Sequence, residues 1–312
     1  MDVGLYHSCL MDWDLNQTFQ WMSDHNLRDA ELYGGPRYPY IDWKAVADGN
    51  VETILAAAEK HHIQIHDIMY GALNFLHPDA ANREQAASEL KTLIRAAKQL
   101  GATSVSTFTG RDPSKSFDEN LALLTDIFPP FIEYAEQHGV KLLLENCPMY
   151  HEWPPRFNIA TSPAIWERIF DKLNSPYFGL NLDPSHLVWQ GIDYIDAVYT
   201  FKDKIHLAQA KDSEVLPSVQ RTHGLLDGEF WRHRIAGQGD VNWRGFITAL
   251  VDVGYKGPLL IEQEDPFFSS STDAVQTGLE LTLAYLAPLV AMRPPSGDYS
   301  ELKEQKTVRQ SY

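Results

Sequence analysis

Apolar residues along the chain gather into eight short runs with β-branched or leucine-rich interiors: Val3–Leu10, Ala30–Tyr33, Ile63–Tyr70, Ser104–Thr109, Val140–Glu145, Phe178–Asp183, Lys204–Ala210 and Pro258–Glu262. Runs of this length and composition predict strands. Between them lie segments with helical spacing and good helix formers, such as Arg83–Leu100 and Asn120–His138. Three helical runs stop at Gly101, Gly139 and Gly254, each just before the next strand. Glycine tolerates the left-handed conformation that ends a helix, so these are C′ signals. Strand starts fall about 26 to 54 residues apart, and β-α-β connections of that size build parallel sheets. Eight units predict an α/β fold, the (β/α)8 TIM barrel, as a single domain over residues 1–292. From Arg293 to Tyr312 the chain turns polar and loses its apolar period, which predicts a tail. The competing doubly wound sheet is disfavoured, because no G-x-G-x-x-G follows an early strand and no G-x-x-x-x-G-K-[ST] occurs.

The 312 residues carry 26 Lys+Arg against 42 Asp+Glu, a net charge of −16, with 44% apolar and 22% charged residues. This is a globular composition, which excludes intrinsic disorder. The negative charge and the lack of a basic stripe argue against a nucleic-acid partner. No stretch approaches the roughly 18 consecutive apolar residues of a membrane span, and the opening shows no basic region followed by an apolar core. A cytoplasmic location is expected. Two cysteines, Cys9 and Cys147, are too few for a disulfide framework and read as buried thiols.

In a barrel of this kind, chemistry sits at the C-terminal ends of the strands. Strand five ends Leu-Leu-Glu145-Asn146, strand six Leu-Asp183-Pro-Ser-His186, strand seven Gln209-Ala-Lys211-Asp212 and strand eight Ile-Glu262-Gln-Glu264-Asp265. Four consecutive strands thus finish in acid or amide oxygens, and burying that many carboxylates without counter-charge is strongly unfavourable. Glu145, Asp183 and Glu262, with a fourth ligand from strand seven, form an oxygen-rich set suited to a divalent metal ion. Mn²⁺ is the first choice, then Mg²⁺, with Co²⁺ and Zn²⁺ as alternatives. Glu264 shares a strand face with Glu262 by the period of two. The longest connection, between strands seven and eight, begins with Ser213–Gly239. It holds Trp231 with His223, Arg232, His233 and Arg234, and it is the candidate lid. His7, Glu31, His66, Asn74, Asn146 and Arg234 are further strand-mouth candidates for hydrogen-bonding a substrate. Trp13, Trp153, Trp189 and Trp231 near the mouth loops are candidates for stacking on an apolar face of it.

The run GLNLDPSHLVWQGID, the strand ending in AKD, and the later GQGDVNWRGFITAL and GYKGPLLIEQEDP together resemble the sugar phosphate isomerase/epimerase family of xylose isomerase-like TIM barrels. Ala30-Glu-Leu-Tyr-Gly-Gly35, Tyr70-Gly-Ala-Leu-Asn74 and His77-Pro-Asp79 resemble its second and third strand regions. The resemblance implies metal ligands at Glu145, Asp183 and Glu262, and at Gln209 on strand seven. Relatives usually read H-A-K-D there, so Gln209 replaces a histidine and offers only an amide oxygen. His206, on the opposite strand face, is a poor substitute. The resemblance further implies a sugar or keto-sugar isomerase or epimerase, in which Glu145 and Glu262 move a proton beside a carbonyl through an enediolate. His186 and Lys211 would then contact substrate. A lyase, dehydratase or 3-keto-glycoside-cleaving enzyme would share that first step. A sugar-binding barrel without catalysis would be another consequence of Gln209, and an abasic-site nuclease on the same barrel is disfavoured by the charge. The expected partner is a small-molecule sugar. Which sugar, whether it is phosphorylated and whether the chain forms a homo-oligomer stay open.

Overall fold

The computed structural model describes residues 1–291; the expected tail, 293–312, lies outside them. In chain order the elements are β1 (Val3–Tyr6), α1 (Leu15–Asp24), β2 (Asp29–Tyr33), α2 (Trp43–Ala47), α3 (Glu52–His61), β3 (Gln64–Tyr70), α4 (Ala80–Leu100), β4 (Ser104–Thr107), α5 (Phe117–Ile127) and α6 (Pro129–Gln137). They continue with β5 (Lys141–Glu145), α7 (Pro163–Lys172), β6 (Phe178–Leu182), α8 (Ser185–Val188), α9 (Tyr194–Thr200), β7 (Ile205–Ala210), β8 (Asp212–Val215), α10 (Pro217–His223), β9 (Trp231–Arg234), α11 (Trp243–Asp252), β10 (Leu259–Ile261) and α12 (Thr272–Ala291). Strands β1 to β7 and β10 close a parallel barrel in the order β1-β10-β7-β6-β5-β4-β3-β2. All eight expected strands are present, and the fold is the α/β TIM barrel that the alternation predicted.

Local chemistry sets the helix ends. Asp14 with Gln17 and Ser116 with Glu119 form capping boxes that start α1 and α5. Gly101, Gly139 and Gly254 all have positive φ (73°, 69° and 78°), as the C′ reading requires. The expected helix Asn120–His138 is instead two helices. Pro129 and Pro130 lack the N–H groups that would continue α5, so the chain restarts at α6 with proline in its first turn.

Period-two alternation stacks the barrel interior in layers. Leu143, Leu207 and Leu260 form a small apolar cluster of their own. Two residues further along, the same or adjacent strands present a buried polar layer. In it Asn181 Nδ2 donates to Glu31 Oε1 (2.7 Å) and Ser106 Oγ (3.2 Å), and Gln209 Nε2 donates to Glu31 Oε2 (3.1 Å). One step of two beyond Leu143 and Leu260 stand Glu145 and Glu262, and one step beyond Asn181 and Gln209 stand Asp183 and Lys211, all four at the mouth. The larger core lies between strands and helices, with Phe19, Trp166, Leu180, Trp243 and Phe246 buried.

The connection after β7 is an ordered excursion. β8 and β9 pair antiparallel as a two-stranded ribbon enclosing α10, with Ser213 opposite His233. Helix α12 is, among the described residues, the one helix long and apolar enough to cross a membrane, with a mean hydropathy of 1.3. Charged residues such as Glu280 break its apolar runs in the sequence. Its buried residues Val275, Gly278, Leu279, Thr282 and Leu286 recur at helical spacing, and the helix packs against α11 and β1.

Candidate active site

The strand ends open into a cavity of about 350 Å³ lined by Glu145, His186, Lys211, His233, Glu262 and Glu264. Tyr6, Tyr33, Met69, Tyr70, Phe108 and Tyr150 supply much of the remaining wall. Acids and imidazoles thus share the wall with aromatic rings.

Glu145, Asp183 and Glu262 each bring a carboxylate oxygen within 4.8 Å of the other two, and all three are buried. Asn146 fixes Asp183: the Asp183 N–H donates to Asn146 Oδ1 (2.8 Å) and the Asn146 amide donates back to the Asp183 carbonyl (2.9 Å). Asp183 Oδ1 accepts from the Ser185 N–H (2.8 Å), which explains the D-P-S order locally. His186 Nε2 stands 3.2 Å from Asp183 Oδ2 and 3.6 Å from Glu145 Oε1. Lys211 reaches into the same group, its Nζ 2.8 Å from Glu262 Oε2, 3.1 Å from Glu264 Oε2 and 3.1 Å from Asp183 Oδ2.

Burial, reinforced by neighbouring acids, pushes the Glu262 carboxyl up to about 8 despite Lys211. Glu145 rises well above the usual carboxylate range for the same reasons, with burial first and Glu262 next. Burial pushes His186 down, and Lys211 adds to the effect, so its imidazole is neutral. Burial alone would lower Lys211, but the surrounding carboxylates more than reverse it and hold the ammonium charged.

Among the residues singled out from the sequence, Glu145, Glu262, His186 and Lys211 all line the cavity, and Asp183 sits directly against them. The others lie elsewhere. His66 is near the start of β3, at the opposite end of the barrel, with Nε2 2.6 Å from Asp29; its strand position faces away from the mouth. His7 is buried, accepts from the Tyr33 N–H through Nδ1 (3.0 Å) and packs edge-on to Tyr38. Asn74 is taken up in loop hydrogen bonds to Arg111 and Leu76. Arg234 is committed to Glu214, Gln238 and Asp265, bracing the ribbon. Glu31 belongs to the polar layer beneath the site, and Asn146 acts through Asp183. Trp189 stacks on Trp231 (4.8 Å between centroids, 12° between planes) and Trp153 packs beside both. These three rings join the ribbon to the end of α8 and to the connection between β5 and α7, and none of them lines the cavity. Trp13 lines a separate small cleft with Ser269–Thr272.

His233 was visible only as one of a basic cluster in the long connection. Its place at the wall comes from the ribbon register, which the sequence spacing does not encode. Tyr6 and Tyr33 could have been found by extending the period-two rule along β1 and β2.

The three clustered carboxylates are donors of the right kind for a hard cation, and Glu145 Oε1 has no hydrogen-bond partner. As arranged, however, the site does not fit a divalent ion. The Lys211 ammonium already contacts two of the three acids, and a dication placed among them would meet its charge. The strand-seven residue is only an amide: the Gln209 nitrogen is engaged with Glu31, and its oxygen is buried without a partner.

The sequence is 30% identical to the uncharacterized protein YfiH of Bacillus subtilis over 160 residues, 48% of each chain, so this match spans about half of that relative's length. An uncharacterized protein of Methanocaldococcus jannaschii is 21% identical over 284 residues, covering 85% of this chain and 84% of that one. A crystal structure of IolI protein with a bound zinc atom superposes with a TM-score of 0.74 at 20% identity, over 95% of this chain and 100% of its own. D-psicose 3-epimerase with D-fructose gives 0.71 at 14% identity, over 93% and 99%. The apo 3-keto-D-glucoside 4-epimerase YcjR of E. coli gives 0.69 at 14%, over 92% and 99%. At these identities the structures speak for the shared barrel. The sequence profile of the xylose isomerase-like TIM barrel matches residues 19–285, and the chain belongs to that family.

Proposed function

We propose that this barrel isomerises or epimerises a sugar or keto-sugar by moving a proton on the carbon beside a carbonyl. The observation that carries this reading is the pair Glu145 and Glu262, two buried carboxyls with oxygens within 4.8 Å of each other on the wall of one cavity. A substrate carbon held in the cavity against both side chains meets one carboxylate that removes its proton and a second carboxyl that returns one. A carboxyl held near 8, as Glu262 is by burial, exchanges protons readily around neutral pH. His186 and His233, with the tyrosines, are hydrogen-bond partners for the hydroxyls, while Phe108 and Met69 meet the C–H face. The epimerases among the structural neighbours support a sugar as substrate, and Asp183 and Asn146 keep the wall rigid. The same enediolate would serve an elimination, so the product must be identified by NMR. The two free thiols, Cys9 and Cys147, are in keeping with a cytoplasmic enzyme.

The test is solvent deuterium incorporation into a panel of keto-sugars, phosphorylated and not, followed by mass spectrometry. Wild-type protein is expected to label one α-carbon. Glu145→Gln and Glu262→Gln are each expected to stop labelling with the circular-dichroism spectrum unchanged. Full labelling by both variants would remove the two-glutamate mechanism.

A further inference from the structure

Lys211 is 2% exposed, yet its Nζ is not neutralised by one partner: it meets carboxylate oxygens of Glu262, Glu264 and Asp183 at 2.8 to 3.1 Å. An ammonium has three N–H donors, and here three carboxylates surround it. Gln209 lies two residues earlier, near the end of β7, with its amide nitrogen tied to Glu31, so the chain brings an amide where the expected fourth ligand sits and, just past the strand end, a cation among the acids. Lys211 also lines the cavity, beside Glu262. It stands where three carboxylates converge on the wall of the cavity.

We propose that the Lys211 ammonium is the resident cation of this acid cluster, serving in place of a divalent metal ion as the group that holds the enolate oxygen. The proposal rests on the proton-transfer reading above. Glu264 is the most exposed of the three partners, with 47% of its side chain accessible. A substrate carbonyl oxygen displaces it and becomes the third acceptor of the ammonium. One glutamate then takes the proton from the neighbouring carbon, and the C–H electron pair becomes the carbon–carbon double bond. The carbonyl π pair moves onto oxygen, where it is stabilised by Lys211, which keeps its proton. Return of a proton to carbon from the other glutamate reverses these electron movements, so no oxidant, reductant or further reactant is consumed. Fixed positive charge at a developing oxyanion in a dry site is an effective form of catalysis.

Two measurements test this. The first needs no variant: Mn²⁺ is titrated into chelator-treated wild-type protein and free ion is followed by electron paramagnetic resonance. The expected result is binding weaker than about 1 mM, whereas one Mn²⁺ per chain held at about 10 μM or tighter overturns the proposal. The second is deuterium exchange in the keto-sugar panel. Chelated wild type is expected to exchange at its full rate, and Lys211→Met to lose at least about 100-fold, the scale of removing a charged oxyanion partner. Lys211→Met and the double variant Lys211→Met/Gln209→His are expected to gain Mn²⁺ binding, the double variant more strongly; thermal melts confirm that each is folded. Exchange by the wild type that disappears on chelation and returns with Mn²⁺ overturns the role of Lys211 and leaves the proposed function standing. If no sugar exchanges with or without metal, the proposed function fails, and the Mn²⁺ titration still decides whether Lys211 is the resident cation.

Discussion

Asp212, the last residue of the A-K-D run, shows how the long excursion is anchored. Its buried carboxylate accepts four hydrogen bonds: Oδ1 from the N–H groups of Ser213 (2.8 Å) and Val241 (3.0 Å), and Oδ2 from the Gly237 N–H (3.0 Å) and Trp243 Nε1 (2.8 Å). One side chain thus ties the start of β8 to the loop leading into α11, across almost thirty residues of sequence. Gly239 crowds against it so closely that a Cβ there would lie 2.6 Å from the carboxylate carbon. Each hydrogen bond to a charged acceptor contributes about 1.5–3 kcal/mol, and four on one acceptor are not additive, so Asp212→Ala should cost about 4 kcal/mol. Asp212→Asn preserves the shape but turns one acceptor into a donor that faces two N–H groups, for a loss of about 3 kcal/mol. For a chain of 312 residues, 4 kcal/mol lowers the melting temperature by roughly 6 °C. The assay is a thermal melt of both variants together with amide hydrogen exchange. Protection should fall first at Ser213, Gly237 and Val241, because those amides lose their acceptor. A melting temperature within about 2 °C of wild type for Asp212→Ala, with unchanged protection at those amides, would refute the reasoning.

Two further predictions follow from the interior and the loops. Burial holds the Asp67 carboxyl at about 6 against an ordinary 3.8. The folded state therefore retains a proton that the unfolded state has lost, and the associated stability disappears as pH rises from about 4 through about 6. Asp67 lies opposite Glu31 on the neighbouring strand, so the proton is held by the pair, and the stability lost over that window is on the order of 3 kcal/mol. Unfolding free energies measured between pH 4 and pH 6 should fall more steeply with pH for wild type than for Asp67→Asn, and parallel pH profiles would contradict the assignment. Gly110 has φ +74° and sits where a Cβ would fall 2.6 Å from Asn74 Cα. Gly110→Ala should cost about 2–3 kcal/mol, read as a lower urea midpoint, and an unchanged midpoint would rule out that strain.

The eight strands, the closed barrel and the convergence of Glu145, Asp183 and Glu262 were all legible in the sequence. Each follows from a periodic rule: period two aims alternate residues inward, glycine ends helices, and the C-terminal ends of parallel strands share one mouth. Pro129-Pro130 was equally local, yet the helical spacing on either side disguised the break. What the sequence could not decide is which polar side chain meets which. His7 and His66 have the same chemistry as His186 and His233, and Asn74 and Arg234 are equally able to hydrogen-bond, yet only barrel shear and the β8–β9 register separate those at the wall from those braced elsewhere. Gln209 and Lys211 share a strand face in the sequence; that one turns to Glu31 while the other enters the acid cluster depends on side-chain packing among strands far apart in the chain. Periodicity acts through the backbone and is written locally, whereas the pairing of buried charges is settled only when distant strands bring their partners within about 3 Å.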